Sequence, residues 1–331
     1  MTTVLLIGYY GFQNAGDEWL LNQSIRWVRD HYPDAHIQIS LPKTAPNYVG
    51  FTSVDRWSIR ALARAINQSD HVVFGGGGLF QDSSSRRSFL YYLAILWRAT
   101  KTTKSVTLLA QGIGPIRSPR LGRWLANLLS HANVTVSVRD TCSQEALGAL
   151  GVTRSYLVSD LVFYKGKMTT PKVATNIGIS LRPMDMPPSL KEVLSKLLNK
   201  IVSPKKLLAM HPKWDIPFTR HIFQDQTLSL SDMNTIGLDG ELPLKGMITM
   251  RYHAAAYAAL HGIPFLALAS DEKLISLAKD CGQPFLDLRS PRATQDLPSI
   301  WNDFAKQRTH YQTELIRLVQ NPLERAKGLI G

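Results

Sequence analysis

Short apolar runs, most of them closed by glycine or a polar residue and followed by a helical pattern, recur along this chain. They fall at 3–7, 36–41, 71–74, 105–110, 134–138, 156–162, 176–181, 206–210, 247–250 and 263–269. Continuous apolarity over so few residues is the mark of strands buried on both faces, which are found in parallel sheets covered by helices. Alternation of strand and helix therefore predicts an α/β protein with doubly wound sheets. In such sheets ligands bind outside the carboxyl ends of the strands, so the residues that close each run become the candidates for function.

Those closing residues are polar or glycine at nearly every strand. After 3–7 comes Gly8-Tyr9-Tyr10-Gly11-Phe12-Gln13-Asn14-Ala15-Gly16-Asp17-Glu18 and an amphipathic helix to about Arg29. This is neither GxGxxG nor a P-loop, so no nucleotide fingerprint is present. Asp17 has two readings, a helix N-cap or a carboxylate at the ligand-binding edge, and Asn14 precedes it as a candidate substrate contact. After 71–74 come Gly75, Gly76, Gly77 and Gly78, whose bare amides suit a sugar or a phosphate. A further glycine loop follows at 111–115. Arg139 ends the 134–138 strand, with a salt bridge to Asp140 as its structural reading. Arg182, His211, Arg251 with His253, and Asp271 with Lys273 occupy the same place after later strands. Tyr252 and Tyr257 read as packing, and His261 before Gly262 as a helix C-cap.

The polar stretch 165–171 reads as a linker. It divides the chain into a domain at 1–168, a second at 172–295, and a terminal helical segment, 296–331, that packs back on the first. Signals between 215 and 245 are weak. Two doubly wound Rossmann-like domains facing a cleft are the GT-B-like arrangement.

With 44% hydrophobic and 19% charged residues over 331 positions, two folded domains are expected and disorder is not. No run of 18 apolar residues occurs, and the chain begins directly with a strand, which predicts a cytoplasmic protein without a spanning helix or signal peptide. Cys142 and Cys281 lack the spacing of a disulfide framework or a metal site. The net charge of +13 is concentrated in part between Ser83 and Arg139, which holds nine basic residues and no acidic one. Such a stretch attracts phosphates, anionic lipid or nucleic acid, or else simply keeps a helix face solvated. No RNA-binding signature or aromatic-interleaved basic stripe accompanies it, so nucleic acid is not an expected partner.

Taken together, GYYGFQNAGDEWLL, GGGGLFQD, QGIGP, SVRD, GISLRP and MRYHAAAYAALHGIP resemble the polysaccharide pyruvyl transferase family, in particular its CsaB-type bacterial cell-wall branch. The resemblance runs from about Val4 to Gly282. It implies transfer of a pyruvyl group from phosphoenolpyruvate to two hydroxyls of a sugar, forming a cyclic ketal and releasing phosphate, with no cofactor. In that branch the acceptor is typically N-acetylmannosamine in a polyprenyl-pyrophosphate-linked precursor. The resemblance places the family's functional residues at Asp17, Arg139, His253 and Lys273. Where the family often reads tyrosine-aspartate-proline-lysine, this chain has Ser270-Asp271-Glu272-Lys273, keeping the aspartate and the lysine.

The chemistry accounts for the residue types. Phosphoenolpyruvate carries a carboxylate and a phosphate, so Arg251, Lys273 and Arg182 can neutralise it with charge-assisted hydrogen bonds. Ketal formation needs an acid toward the enol carbon and a base toward the attacking hydroxyl, for which His253 and Asp17 are the candidates. A scheme of this kind needs no metal. The second domain is then the phosphoenolpyruvate side and the first the acceptor side, with the basic stretch resting on the inner membrane face. Two other readings stand beside it: a nucleotide-sugar glycosyltransferase of the same fold, and a non-catalytic basic protein that binds membrane or nucleic acid.

Overall fold

The fold was analysed on a computed structural model, which describes residues 1–83, 85–170, 174–223 and 228–330. The chain divides into two compact units. The first comprises Met1–Gln13, Asp17–Lys165 and Glu324–Gly331, the second Asn14–Gly16 and Gly166–Leu323.

In chain order the first unit contains β1 (Thr3–Ile7), α1 (Ala15–His31), β2 (His36–Leu41), β3 (Thr52–Asp55), α2 (Ile59–Gln68), β4 (His71–Phe74), β5 (Gly77–Phe80), α3 (Arg86–Thr102), β6 (Ser105–Ile113), α4 (Pro119–Leu129), β7 (Val134–Val138), α5 (Thr141–Ala149) and β8 (Tyr156–Leu157). Its sheet runs β3-β2-β1-β4-β6-β7-β8, with β5 paired to β6, and the pairings are parallel. Strand order reverses between β1 and β4, so the ligand-binding edge of this unit lies where those two strands end. Leu5, Ile7, Val72, Phe74, Val106 and Leu108 are buried in one apolar cluster with Phe89, Tyr92 and Leu96 of α3. Each such side chain contributes about 1.5–3 kcal/mol of transfer free energy.

The second unit contains β9 (Asn176–Ser180), α6 (Pro188–Asn199), β10 (Lys205–Ala209), α7 (Pro212–Phe223), β11 (Ser229–Asp232), α8 (Met233–Ile236), β12 (Leu244–Thr249), α9 (Tyr252–Leu260), β13 (Phe265–Ala269), α10 (Glu272–Asp280), β14 (Phe285–Asp287) and α11 (Ala293–Leu318), followed by α12 (Gln320–Lys327). The order β11-β10-β9-β12-β13-β14 is again parallel, and it reverses between β9 and β12. Leu297, Trp301 and Phe304 of α11 join Ile179, Leu207 and Leu266 in the core of this unit. The last residues cluster with the first unit, where the Trp27 indole N–H donates to the Leu329 carbonyl at 2.6 Å.

Several local readings are revised. The glycine run after β4 is not a loop, because Gly77 and Phe80 pair with Gln111 and Ile113 to make β5, and β6 itself extends through Ile113. Residues 156–162 give only two strand residues before a 3-10 turn over Leu161–Phe163. Gly166 to Thr170 group with the second unit: Thr169 N–H donates to the Leu260 carbonyl at 2.9 Å and its hydroxyl meets His261 Nδ1 at 2.8 Å. Pro171 and the expected domain start at 172 lie outside the described residues.

Candidate functional site

At the switch point of the first unit, the loop after β1 is fastened from below. Glu18 accepts the Gly11 N–H at 2.8 Å and the Tyr48 hydroxyl at 2.5 Å, and the buried Tyr10 meets the Ser24 hydroxyl at 3.2 Å. Asp17 is the third residue of α1, so it is not the helix N-cap. Its neighbour Glu18 does the structural fastening, and half-buried Asp17 lines a cavity of about 600 Å³. The glycines divide by role. A Cβ at Gly75 would collide with the Tyr10 hydroxyl and Ser24, and one at Gly76 would meet Leu20 at 2.8 Å and Leu161 at 3.0 Å. Gly77 takes φ +116°, with Asp17 Oδ1 4.0 Å from its would-be Cβ. Gly75, Gly76 and Gly77 are buried, and Gly78 lines the cavity.

The cavity also brings together residues that no sequence signal marked. Arg56, following β3, is only 3% exposed. Its guanidinium donates to the Gly8 carbonyl and the Tyr92 hydroxyl, both at 3.1 Å, and lies 5.0–5.7 Å from the ring centres of Tyr9, Phe12, Trp57 and Tyr91. A cation so placed gains about 0.5–2 kcal/mol from a ring face, depending on desolvation. Burial pushes the Tyr92 phenol up to about 12, with the Arg56 charge opposing the rise. Strand β3 was missed because its sequence, TSVD, alternates weakly and only Val54 is buried. Arg56 went unnoticed with it.

Arg139, at the end of β7, is buried and paired. Its Nη1 lies 2.7 Å from Asp160 Oδ2, and its Nε lies 3.4 Å from Asp140. The Asp140 contact expected from the sequence forms between chain neighbours because Asp140 is extended as the N-cap of α5. Two carboxylates thus neutralise this arginine within its own unit.

The second unit carries a more open cluster at its own switch point. Arg182 follows β9, and Arg251 follows β12 as the N-cap of α9. His211 follows β10, and Asp271 follows β13 as the N-cap of α10. Arg182 donates to the Ser270 hydroxyl and pairs with Asp271 at 3.5 Å. Burial lowers the Arg182 pKa; Asp271 opposes this, and the like charge of Arg251 adds to it. Asp215, fully buried in α7, pairs with Arg251 through Oδ1 while Oδ2 accepts the backbone N–H groups of Met210 (3.1 Å) and His211 (2.9 Å). One carboxylate therefore fixes both an arginine and the end of β10. Sequence reading missed Asp215 because 215–245 gave weak signals; its place three residues after Pro212, in a first helical turn, was the available clue.

Arg182 Nε, Arg251 Nε and His211 Nδ1 are buried and have no hydrogen-bond partner among the described residues. Buried polar nitrogens are ordinarily hydrogen-bonded, and these three lie at one strand edge. Burial lowers the His211 pKa, with Asp215 opposing. His253 and Lys273 are each the second residue of α9 and α10, and both are half-buried. Asn14, Ala15 and Gly16 belong to this unit: Ala15 N–H donates to the Met210 carbonyl at 2.8 Å, and a Cβ at Gly16 would strike the His253 imidazole. His261 caps α9 as expected and also donates from Nε2 to the Leu238 carbonyl at 2.9 Å.

Two parallel-sheet α/β units of this order define the GT-B class of fold, and solved structures agree. The UDP-GlcNAc 2-epimerase from Neisseria meningitidis bound to UDP-GlcNAc matches with a TM-score of 0.60 at 10% identity, covering 100% of this chain and 98% of that one. Anabaena HepE in complex with UDP and glucose matches at 0.59 and 11%, covering 99% and 95%. The lipopolysaccharide outer core galactosyltransferase WaaB matches at 0.54 and 11%, covering 99% of each chain. No curated protein matches in sequence. The profile of the polysaccharide pyruvyl transferase family matches residues 14–217, more than half of the chain, and the protein belongs to that family. It is thus a transferase of polysaccharide biosynthesis. The matched span includes Asp17, Arg139, Arg182, His211 and Asp215, while Arg251, His253 and Lys273 follow it. No helix among the described residues is long and apolar enough to cross a membrane.

Proposed function

We propose that this protein transfers the pyruvyl group of phosphoenolpyruvate onto two hydroxyls of a sugar, N-acetylmannosamine in a lipid-linked cell-wall precursor of the CsaB type, as a cyclic ketal. The observation that carries the reading is the set of partnerless nitrogens on Arg182, Arg251 and His211 at the second switch point. A phosphoenolpyruvate trianion offers these groups two clusters of acceptor oxygens, and guanidiniums bind both carboxylate and phosphate in bidentate fashion.

In the proposed reaction His253 protonates the methylene carbon, and the first hydroxyl adds to the cationic C2 while Asp17 takes its proton. The C2–O bond to phosphate then breaks, and the second hydroxyl closes the ketal. Of the two hydroxyl protons, one balances the proton placed on the methyl group and the other leaves with phosphate. Lys273 supports the donor from α10, Asp271 does so through its pair with Arg182, and Asn14 contacts substrate. Arg139, held by Asp160 and Asp140, acts as a positioning residue for the 111–115 strand end; a Cβ at Gly112 would lie 3.0 Å from its guanidinium.

Incubation with the sugar acceptor and either phosphoenolpyruvate or a UDP-sugar tests this. Release of inorganic phosphate is expected. Release of UDP instead would establish the glycosyltransferase alternative, which the UDP-bound fold relatives keep open.

The expected site of action is the inner face of the cytoplasmic membrane. Arg86 and Arg87 on α3, Arg120 and Arg123 on α4, and Arg117 just before α4 are exposed, and Trp97 is exposed on the same α3. Basic residues near an anionic leaflet are worth about 1 kcal/mol each. Flotation with phosphatidylglycerol vesicles should show binding at low salt that is lost at high salt. No binding at low salt would remove the membrane from the scheme.

A further inference from the structure

The first unit's cavity has a composition that the donor chemistry does not use. Its walls combine two exposed aromatic rings, Trp57 (64% exposed) and Tyr9 (43%), with Arg56, Arg87, Gln81 and Asp17. About 600 Å³ falls within the range of about 300–1,000 Å³ typical of small-ligand pockets. Aromatic faces beside polar groups match a sugar ring, which has apolar C–H faces and a rim of hydroxyls.

Charge separates the candidates further. Arg56 is almost completely buried, its Nε has no hydrogen-bond partner, and no carboxylate pairs with it among the described residues. A buried guanidinium answered only by a carbonyl, a phenol and ring faces is incompletely compensated. Independently, α3 is a 17-residue helix that opens with Arg86-Arg87 and has no acidic residue in its first turn. Cations at a helix amino terminus oppose the helix dipole, so this arrangement favours an anion docked there. Ser85, the α3 cap, lines the same cavity with Arg87.

We propose that this cavity is the subsite for the acceptor as a glycosyl phosphate, its sugar ring against Trp57 and Tyr9 and its phosphate held by Arg87, Arg56 and the amino end of α3. The word acceptor rests on the pyruvyl-transfer reading; the binding chemistry does not. The phosphate could belong to a lipid-linked pyrophosphate or to a soluble sugar phosphate, and both present the same group here.

Isothermal titration of the full chain distinguishes these possibilities. The probes are N-acetylmannosamine carrying an anomeric phosphate, N-acetylmannosamine alone, inorganic phosphate and phosphoenolpyruvate. Trp57 and Arg87 are both exposed, so Trp57→Ala and Arg87→Ala leave the fold intact, and phosphoenolpyruvate binding serves as the control. The expected result is that the sugar phosphate binds more tightly than either of its halves, and that each variant weakens it about tenfold or more without altering phosphoenolpyruvate binding. Equal binding of the sugar phosphate to wild type and both variants, or no binding while phosphoenolpyruvate still binds, overturns the assignment. Variant-sensitive sugar phosphate binding with no phosphoenolpyruvate binding keeps the subsite and removes the pyruvyl-transfer reading. A polyprenyl pyrophosphate-linked sugar that outcompetes the soluble phosphate identifies the lipid-linked source; the reverse order identifies the soluble one.

Discussion

The two units reach the same topological device with opposite electrostatic finishes. Both sheets reverse strand order once, and both place an arginine against a fully buried carboxylate near that edge: Arg139 with Asp160 in the first, Arg251 with Asp215 in the second. Yet the Arg139 side chain is 5% exposed and has a second carboxylate nearby, whereas Arg251 is 20% exposed and pairs with Asp215. The first edge is walled with aromatic rings and the second with cations. A sugar phosphate and a small trianion are the ligands that would call for this difference.

The largest effect should follow from His253. His253→Gln is expected to lower turnover about 10²–10⁴-fold, the usual contribution of a positioned general acid, with phosphoenolpyruvate affinity little changed. Rapid-quench measurement of phosphate release checks it. Unchanged turnover would leave the second edge as a binding surface only.

Next come the buried pairs. Arg251→Ala leaves Asp215 charged and fully buried and should cost about 3–5 kcal/mol of stability in urea unfolding, whereas Asp160→Ala leaves Arg139 beside Asp140 and should cost less. The contrast lies in the conservative partner. Arg251→Lys should restore part of the stability while leaving donor affinity poor, because an ammonium cannot reproduce the bidentate fork. If Arg251→Lys binds phosphoenolpyruvate like the wild type, the second edge does not read carboxylate or phosphate through that residue.

Arg182 gives the cleanest reading of donor affinity. Its partner Asp271 is 46% exposed, so Arg182→Ala should cost stability less than about 1 kcal/mol. Loss of a hydrogen bond to a charged group, about 1.5–3 kcal/mol, should raise the KM for phosphoenolpyruvate roughly 10- to 100-fold. Steady-state kinetics decide it, and a changed kcat with constant KM would place Arg182 away from the donor.

Much of this contrast was legible beforehand, and the reason is local. Buried parallel strands such as TVLLI and FLALA announce themselves by unbroken apolarity, and the residues that close them follow by chain order. Arg182, Arg251 and His211 could be placed at one edge because β10, β9, β12 and β13 are read as strands, even without their pairing. What could not be read depends on long-range packing. Asp215 matters because Arg251, 36 residues on, joins two nearby backbone N–H groups in converging on it, and Arg56 because four rings surround it; neither residue carries a pattern of its own. The glycines at 75 and 76 look like a ligand cradle in sequence. In the fold they make room for Tyr10, Ser24, Leu20 and Leu161.

The smallest effect is a pH dependence of stability. Burial lowers the pKa of His211 and His261 in the second unit and of His71 in the first, so the folded protein binds fewer protons than the unfolded chain below about pH 6.5. Stability therefore rises with pH in this window and is lost as the pH falls from about 6.5 through the folded values. Carboxylates such as Asp30, Asp70 and Asp287 are also lowered, by hydrogen bonds from Lys165, Lys104 and Arg289, but their contribution is lost only as pH falls below about 4. Comparing urea midpoints at about pH 7.5 and 5.5 thus isolates the histidines. His261 should dominate, because Nε2 donates to the Leu238 carbonyl and Nδ1 is left to accept the Thr169 hydroxyl, so protonation must break the second bond. His261→Asn should flatten the dependence while lowering stability at both pH values. An undiminished slope in that variant would move the effect to His211 and His71, one at the donor edge and the other at the start of β4.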